Sequence, residues 1–118
     1  MTLIERLHKE FAAEDADSFL IRLRGELFWD RAAFRRLVDA MQEYLASERN
    51  TEDLQRQTAE GFWYLDWYVK EWSSHPNFPK VFPQSYYESA YERLHDLAYW
   101  YFFGESPCET GTLAVFDA

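Results

Sequence analysis

Sixteen of the chain's 23 aromatic residues fall between Phe62 and Phe103, and their crowding limits the fold more than any other feature. A helix packed on one side carries its large apolar residues along one stripe. Phe62-Trp63-Tyr64-Leu65-Asp66-Trp67-Tyr68 and Tyr99-Trp100-Tyr101-Phe102-Phe103 are instead aromatic around most of their circumference. Two arrangements accommodate such segments: both helices are central, or each turns a second aromatic face toward a partner.

The remainder of the chain also has helical spacing. Thr2 and Glu5 stand at capping-box distance ahead of Leu3, Ile4, Leu7 and Phe11, which predicts a first helix over about residues 3–13. Residues 15–24 place Phe19, Leu20 and Leu23 at helical steps with Gly25 as a stop, but Phe19, Ile21 and Leu23 also alternate as in a strand. Helix is the preferred reading, and strand stays open. Asp30 is an N-cap for the most regular element, which should reach about Ser47, with Phe34, Leu37, Val38, Met41, Tyr44 and Leu45 on one face. Thr51 caps a fourth helix whose packing side carries Leu54, Thr58, Gly61, Leu65, Val69 and Trp72, and Gly61 on that side predicts a close helix contact. Pro76, Pro79 and Pro83 break helix. Ser85 and Glu88 repeat the capping-box spacing at the start of a last long helix that ends at Gly104. Residues 105–118 read as a coil tail, with Leu113, Val115 and Phe116 available to fold back. The expected fold is all-α: one domain over residues 1–118, a compact bundle of four to five helices, mostly antiparallel, with a proline-rich loop before the last.

Charge narrows the class of partner. With 21 Asp and Glu against 12 Lys and Arg the net charge is −9, which repels nucleic-acid phosphates and anionic lipid and favours a basic protein partner. Neither nucleic acid nor a membrane is an expected partner. The single cysteine, Cys108, leaves no intrachain disulfide and suits a reducing cytoplasm. Glu5 and Arg6 interrupt the N-terminal apolar residues a signal peptide needs, and no segment approaches the ~20 apolar residues of a membrane span. A soluble cytoplasmic protein is expected.

The strongest lead toward chemistry is Glu-Arg-Leu-His, which occurs at residues 5–8 and again at 92–95, because paired Glu-x-x-His helices hold metal in di-iron bundles. Helical phase argues against it. At about 100° per residue, Ala90, Leu94, Leu97 and Tyr101 form the inner face of the last helix, so Glu92 points nearly opposite and His95 lies off centre. Glu5 similarly faces away from Ile4, Leu7 and Phe11. No metal site is expected. Cys108 paired with His8, His75 or His95 would be a poor nucleophile, because acidic neighbours raise a thiol's pKa. His75, ahead of Pro76, reads as a hydrogen-bonding loop residue. There is no glycine-rich phosphate loop, nucleophile elbow or CxxC pair, so the reading is a non-enzyme without catalytic residues or cofactor.

Two aromatic surfaces are the better signal. Trp63 and Trp67 stand one turn apart, opposite Leu54, Leu65 and Trp72, with Glu60, Lys70 and Glu71 beside them. On the last helix Glu88, Glu92, Asp96, Tyr99 and Phe103 form a stripe facing away from Ala90, Leu94 and Leu97. Carboxylates continued by rings suit a basic cleft, the rings supplying affinity and the charges rate and specificity. These seven residues are the candidate partner-binding set. The competing reading covers one or both faces with the helix around Phe34, with the tail, or with a second copy of the chain in a homodimeric scaffold.

Gly-Phe-Trp-Tyr-Leu at 61–65, His-Pro-Asn-Phe-Pro at 75–79, and Tyr-Tyr-Glu-Ser-Ala-Tyr-Glu-Arg-Leu at 86–94 running into Leu-Ala-Tyr-Trp-Tyr-Phe-Phe-Gly cover about the second half of the chain. In these segments the chain resembles the small acidic helical immunity proteins of bacterial polymorphic and contact-dependent growth-inhibition toxin systems. The resemblance implies a non-enzymatic inhibitor that covers a cognate toxin's active site. It transfers no binding residue by position.

Overall fold

The computed structural model describes residues 2–13, 15–47 and 53–107, and all regular structure among them is helical. The helices are α1 (Leu3–Ala12), α2 (Phe19–Gly25), α3 (Arg31–Ala46), α4 (Arg56–Ser73) and α5 (Gln84–Phe103). The all-α class and the five-helix bundle are as expected from the sequence.

Three helices start where local capping chemistry puts them. Thr2 Oγ1 accepts the Glu5 N–H at 3.1 Å, and Asp30 Oδ1 accepts the Ala33 N–H at 3.1 Å. For residues 15–24 helix prevails over strand, but only from Phe19 onward, because Ser18 Oγ takes the Ile21 N–H and Phe19, Leu20 and Leu23 are all buried. Gly25 is the last helical residue rather than the stop beyond it. The second oxygen of Asp30 receives Arg22 Nη1 at 2.6 Å, tying α2 to the first turn of α3.

The starts of α4 and α5 correct the sequence reading. Gln55, not Thr51, is the N-cap of α4; Thr51 lies outside the described residues, and Leu54 precedes the helix with its side chain exposed. Among the described residues no side chain caps this end. The Gln55 carbonyl instead accepts the Tyr101 hydroxyl of α5, and the Gln55 side chain accepts the Thr58 hydroxyl. Ser85 is likewise not the cap of α5, which begins at Gln84 after Pro83. Proline's fixed φ presets that entry, and the Tyr87 hydroxyl accepts the N–H groups of Val81 and Phe82, holding the loop from within the helix. Near both starts a tyrosine hydroxyl of α5 bonds the backbone, a contact that a capping pattern does not encode.

α1 packs on α3 and α4, α5 packs on the same two helices, and α2 leans on α3. The ring order is therefore α1–α3–α5–α4. Paired contacts give the directions. Phe62 with Tyr101, Asp66 with His95 and Ser73 with Tyr91 make α4 and α5 antiparallel. His8 with Thr58 and Phe11 with Phe62 make α1 and α4 parallel, as Arg31 over Tyr86 and Gln42 with Arg93 do for α3 and α5.

This ring explains the repeated tetrapeptide. Because α1 and α5 each sit between α3 and α4, each uses its leucine, Leu7 or Leu94, for the core. The arginine turns to α3, Arg6 to Glu43 and Arg93 to Gln42, and the histidine to α4, His8 to Thr58 and His95 to Asp66. Glu-Arg-Leu-His is a docking pattern repeated on two equivalent helices.

The core centres on Trp29, which belongs to no helix. It is 1% exposed, contacts Phe19, Phe34 and Tyr87 with ring centroids 5.0–5.2 Å apart, and donates its indole N–H to the Tyr86 hydroxyl at 3.0 Å. The close approach expected at Gly61 is present: a Cβ there would lie 2.1 Å from Phe11 Cδ2. Among the described residues no helix is long and apolar enough to cross a membrane.

Candidate partner-binding surface

The inner face of α5 buries Tyr87, Ala90, Leu94, Leu97 and Tyr101, so helical phase turns Glu88, Glu92, Asp96, Tyr99 and Phe103 outward. All five lie on that outer face: Asp96 is half-buried, the other four are exposed, and Phe103 reaches 69%. Tyr99 stacks on Phe103 with centroids 4.5 Å apart, giving one continuous apolar plate at the helix end. Burial, followed by the neighbouring Glu92 carboxylate, pushes the Asp96 carboxyl above its ordinary pKa, while His95 and Arg93 pull the other way. None of the three acids makes an ion pair within the described residues.

On α4 the stripe is purely aromatic. Trp63 and Trp67 are 57% and 50% exposed and stack at 5.6 Å with 13° between their planes. Tyr64, Tyr68 and Trp72 form a second stack beside them, with centroids 4.7 and 5.7 Å apart. Trp72 corrects an expectation. It is less exposed than Trp63 and Trp67, but at 37% it is an edge residue and not core. Its ring covers the end of α2, and its indole N–H donates to the Leu23 carbonyl at 2.9 Å. Position on the helix had placed it with Leu65, yet the neighbour on that side is a short helix that covers only part of the ring.

The seven candidate residues do not share one cavity. Glu88 and Glu92 open into a polar groove of about 610 Å³ between α4 and α5, together with Asp66, Lys70, Tyr91 and His95. Trp67 lines an apolar groove of about 470 Å³ with Leu27, Tyr68, Glu71, Trp72, His75, Asn77 and Phe78. Trp63 borders a third recess, about 390 Å³, with Phe11, Glu60, Gly61 and Tyr64. The two stripes nonetheless occupy outer faces of adjacent antiparallel helices, and the Phe62–Tyr101 stack brings the Trp63 end of α4 level with the Tyr99–Phe103 end of α5.

Two features of this side escaped sequence reasoning. Leu27 and Phe28 are exposed apolar residues in the loop before α3, and Leu27 has a left-handed backbone with φ of +50°. No periodic pattern marks a two-residue loop segment, so no sequence signal identified them. His75 behaves as expected of a loop residue, its Nδ1 accepting the Asn77 N–H at 3.1 Å.

For other chemistry the described residues contain no group of three or more His, Cys, Asp or Glu side chains placed to hold a metal ion. His8 and His95, the histidines of the repeated tetrapeptide, reach separate points of α4. Cys108, Leu113, Val115 and Phe116 lie outside the described residues. No protein-family model, curated protein or solved structure matches the chain.

Proposed function

We propose that the chain is a non-enzymatic protein-binding module of the immunity type, acting in the cytoplasm by covering a basic active-site surface of a cognate toxin domain. The observation that carries this reading is the outer face of α5. Three carboxylates without an ion-pair partner among the described residues run directly into the exposed Tyr99–Phe103 plate. Leaving a stacked aromatic pair in water forfeits burial energy, and Asp96, its pKa raised first by partial burial and then by the neighbouring Glu92 carboxylate, adds a further cost. A basic partner removes both costs at once: its cations relieve the like-charge repulsion and its apolar surface covers the rings. The net charge of −9 acts over a longer range and raises the encounter rate with such a partner.

The test is binding kinetics against the product of the adjacent gene at two salt concentrations. Reversing Glu92 and Asp96 to Lys should slow association by about tenfold at low salt and flatten its salt dependence. Tyr99→Ala or Phe103→Ala should speed dissociation by roughly 5- to 30-fold, the equivalent of about 1–2 kcal/mol at an aromatic anchor. Unchanged kinetics in all variants would remove this face as the interface. A tight dimer of the protein alone, lost on Phe103→Ala, would replace the inhibitor reading with the homodimeric scaffold.

A further inference from the structure

We propose that the apolar groove beside α4 is an arginine-receiving site, in which a guanidinium from a protein partner lies against the Trp67–Trp72 rings and pairs with Glu71. This rests on the reading of the chain as a protein-binding module, and it places a second point of recognition outside the α5 stripe.

The lining decides the class of occupant. Leu27, Trp67, Tyr68 and Trp72 make most of the groove apolar, and the one carboxylate in it, Glu71, has no ion-pair partner among the described residues. Among the described residues no lysine or arginine lines it. Arg24, the chain's own cation that bears on the Tyr68 hydroxyl, stands outside the lining. A purely apolar occupant would strip water from Glu71 without giving it a partner. A lysine ammonium is compact and strongly hydrated, and it gains least from an aromatic wall. Arginine meets the apolar, aromatic and acidic parts of the lining together. Its methylene stem suits Leu27 and the ring edges, its weakly hydrated plane lies on tryptophan or tyrosine, and its fork pairs a carboxylate at two points. The volume of about 470 Å³ is ample for such a side chain with its flanking backbone.

The groove is also built in advance. Trp63 stacks on Trp67, Tyr68 stacks on Trp72, and the Leu23 carbonyl holds the Trp72 indole, so the rings keep their positions without a ligand. Leu27 stands at the lip in a left-handed conformation that bulky side chains rarely adopt, with 40% of its surface still exposed. The fold thus holds a strained leucine where its own burial gains little, and strain of that kind collects at ligand clamps.

The experiment titrates the ¹⁵N-labelled protein with capped hexapeptides identical except for one central residue, which is arginine, lysine, citrulline or norleucine. The indole N–H signals of the five tryptophans report the site. Saturable shifts at Trp67 and Trp72, with Trp29 unmoved, are expected for the arginine peptide, weaker binding for lysine, and about tenfold weaker binding for neutral citrulline. Glu71→Gln should weaken the arginine peptide about tenfold and leave citrulline unchanged. Trp67→Leu should weaken both the arginine and the citrulline peptide by removing the ring they lie on, with circular dichroism confirming the fold. Equal binding of arginine and norleucine would overturn the proposal in favour of a purely apolar groove, and dilution-dependent shifts of Trp67 without peptide would overturn it in favour of a second copy of the chain. If the adjacent-gene product binds Glu71→Gln and wild type alike while the arginine peptide fails to bind, the site is refuted and the protein-binding reading stands. Arginine-selective binding at Trp67 without any response to that gene product supports the site and counts against the inhibitor.

Discussion

Replacing Gly61 by alanine sets two effects of opposite sign against each other, and the structure says which is larger. In the interior of a helix alanine is favoured over glycine by about 0.8–1.0 kcal/mol, so at an open position Gly61→Ala would stabilise α4. At this position the new methyl would lie 2.1 Å from Phe11 Cδ2 and 2.4 Å from Cε2, whereas carbon atoms pack at about 3.5–4.0 Å. The phenyl ring must move by more than an ångström. It cannot move inward, because it stands edge-on to the fully buried Phe62 at 5.4 Å, and Phe62 lies flat against Tyr101 at 4.5 Å. Moving outward parts α1 from α4, with an overpacking cost of about 1–3 kcal/mol and loss of an edge-to-face pair worth about 0.5–1.5 kcal/mol. Net destabilisation of about 0.5–3.7 kcal/mol is therefore expected by urea unfolding, as a lower midpoint with an unchanged slope. The decisive control is the same substitution in a Phe11→Ala background. With the ring gone the clash vanishes, and Gly61→Ala should stabilise by about the full helix-propensity difference, giving a coupling of about 1.5–4.5 kcal/mol between the two positions. Stabilisation in both backgrounds would refute the close-approach argument.

The tryptophans should separate by burial: Trp29→Ala should cost about 3–5 kcal/mol as a core cavity, and Trp63→Ala no more than the ~0.5–1.5 kcal/mol of its stacked pair. Equal losses in urea unfolding would mean that the outer face of α4 is core in solution. Asp96 gives a pH signature, since burial and Glu92 raise its folded pKa above the unfolded value. The folded state then holds the proton more tightly, so stability falls as pH rises from the ordinary aspartate value, about 3.9, through the raised one, and the penalty persists above it. Asp96→Asn should accordingly raise the thermal midpoint at pH 7 and lose that advantage below about pH 4; an advantage that grows on acidification would reverse the assignment.

What was legible in the sequence was whatever depends on the direction of a side chain from its own helix axis. The caps at Thr2 and Asp30, the stop at Gly104, the inner face of α5 and the outward set of Glu88, Glu92, Asp96, Tyr99 and Phe103 all follow from 3.6-residue periodicity and local capping chemistry, and all appear in the structure. The same phase correctly turned the glutamates of both Glu-Arg-Leu-His segments away from the core. It did not reveal that the repeat docks two equivalent helices, because ring order is a property of the bundle.

Tertiary structure alone decided what stands in each of those directions. Trp29 is the centre of the core although it sits in a loop with no period to mark it, and Trp72 is an edge residue although its phase matches Leu65. The N-cap positions of α4 and α5 fall at Gln55 and Pro83, and the nearby backbone bonds the Tyr101 and Tyr87 hydroxyls. The exposed, strained Leu27 that completes the groove beside α4 is likewise a product of how α2 and α3 are joined. The physical reason is common to all four: periodicity fixes an angle about one axis, whereas burial, remote caps and grooves depend on how far away the next element lies and how much of the ring it covers.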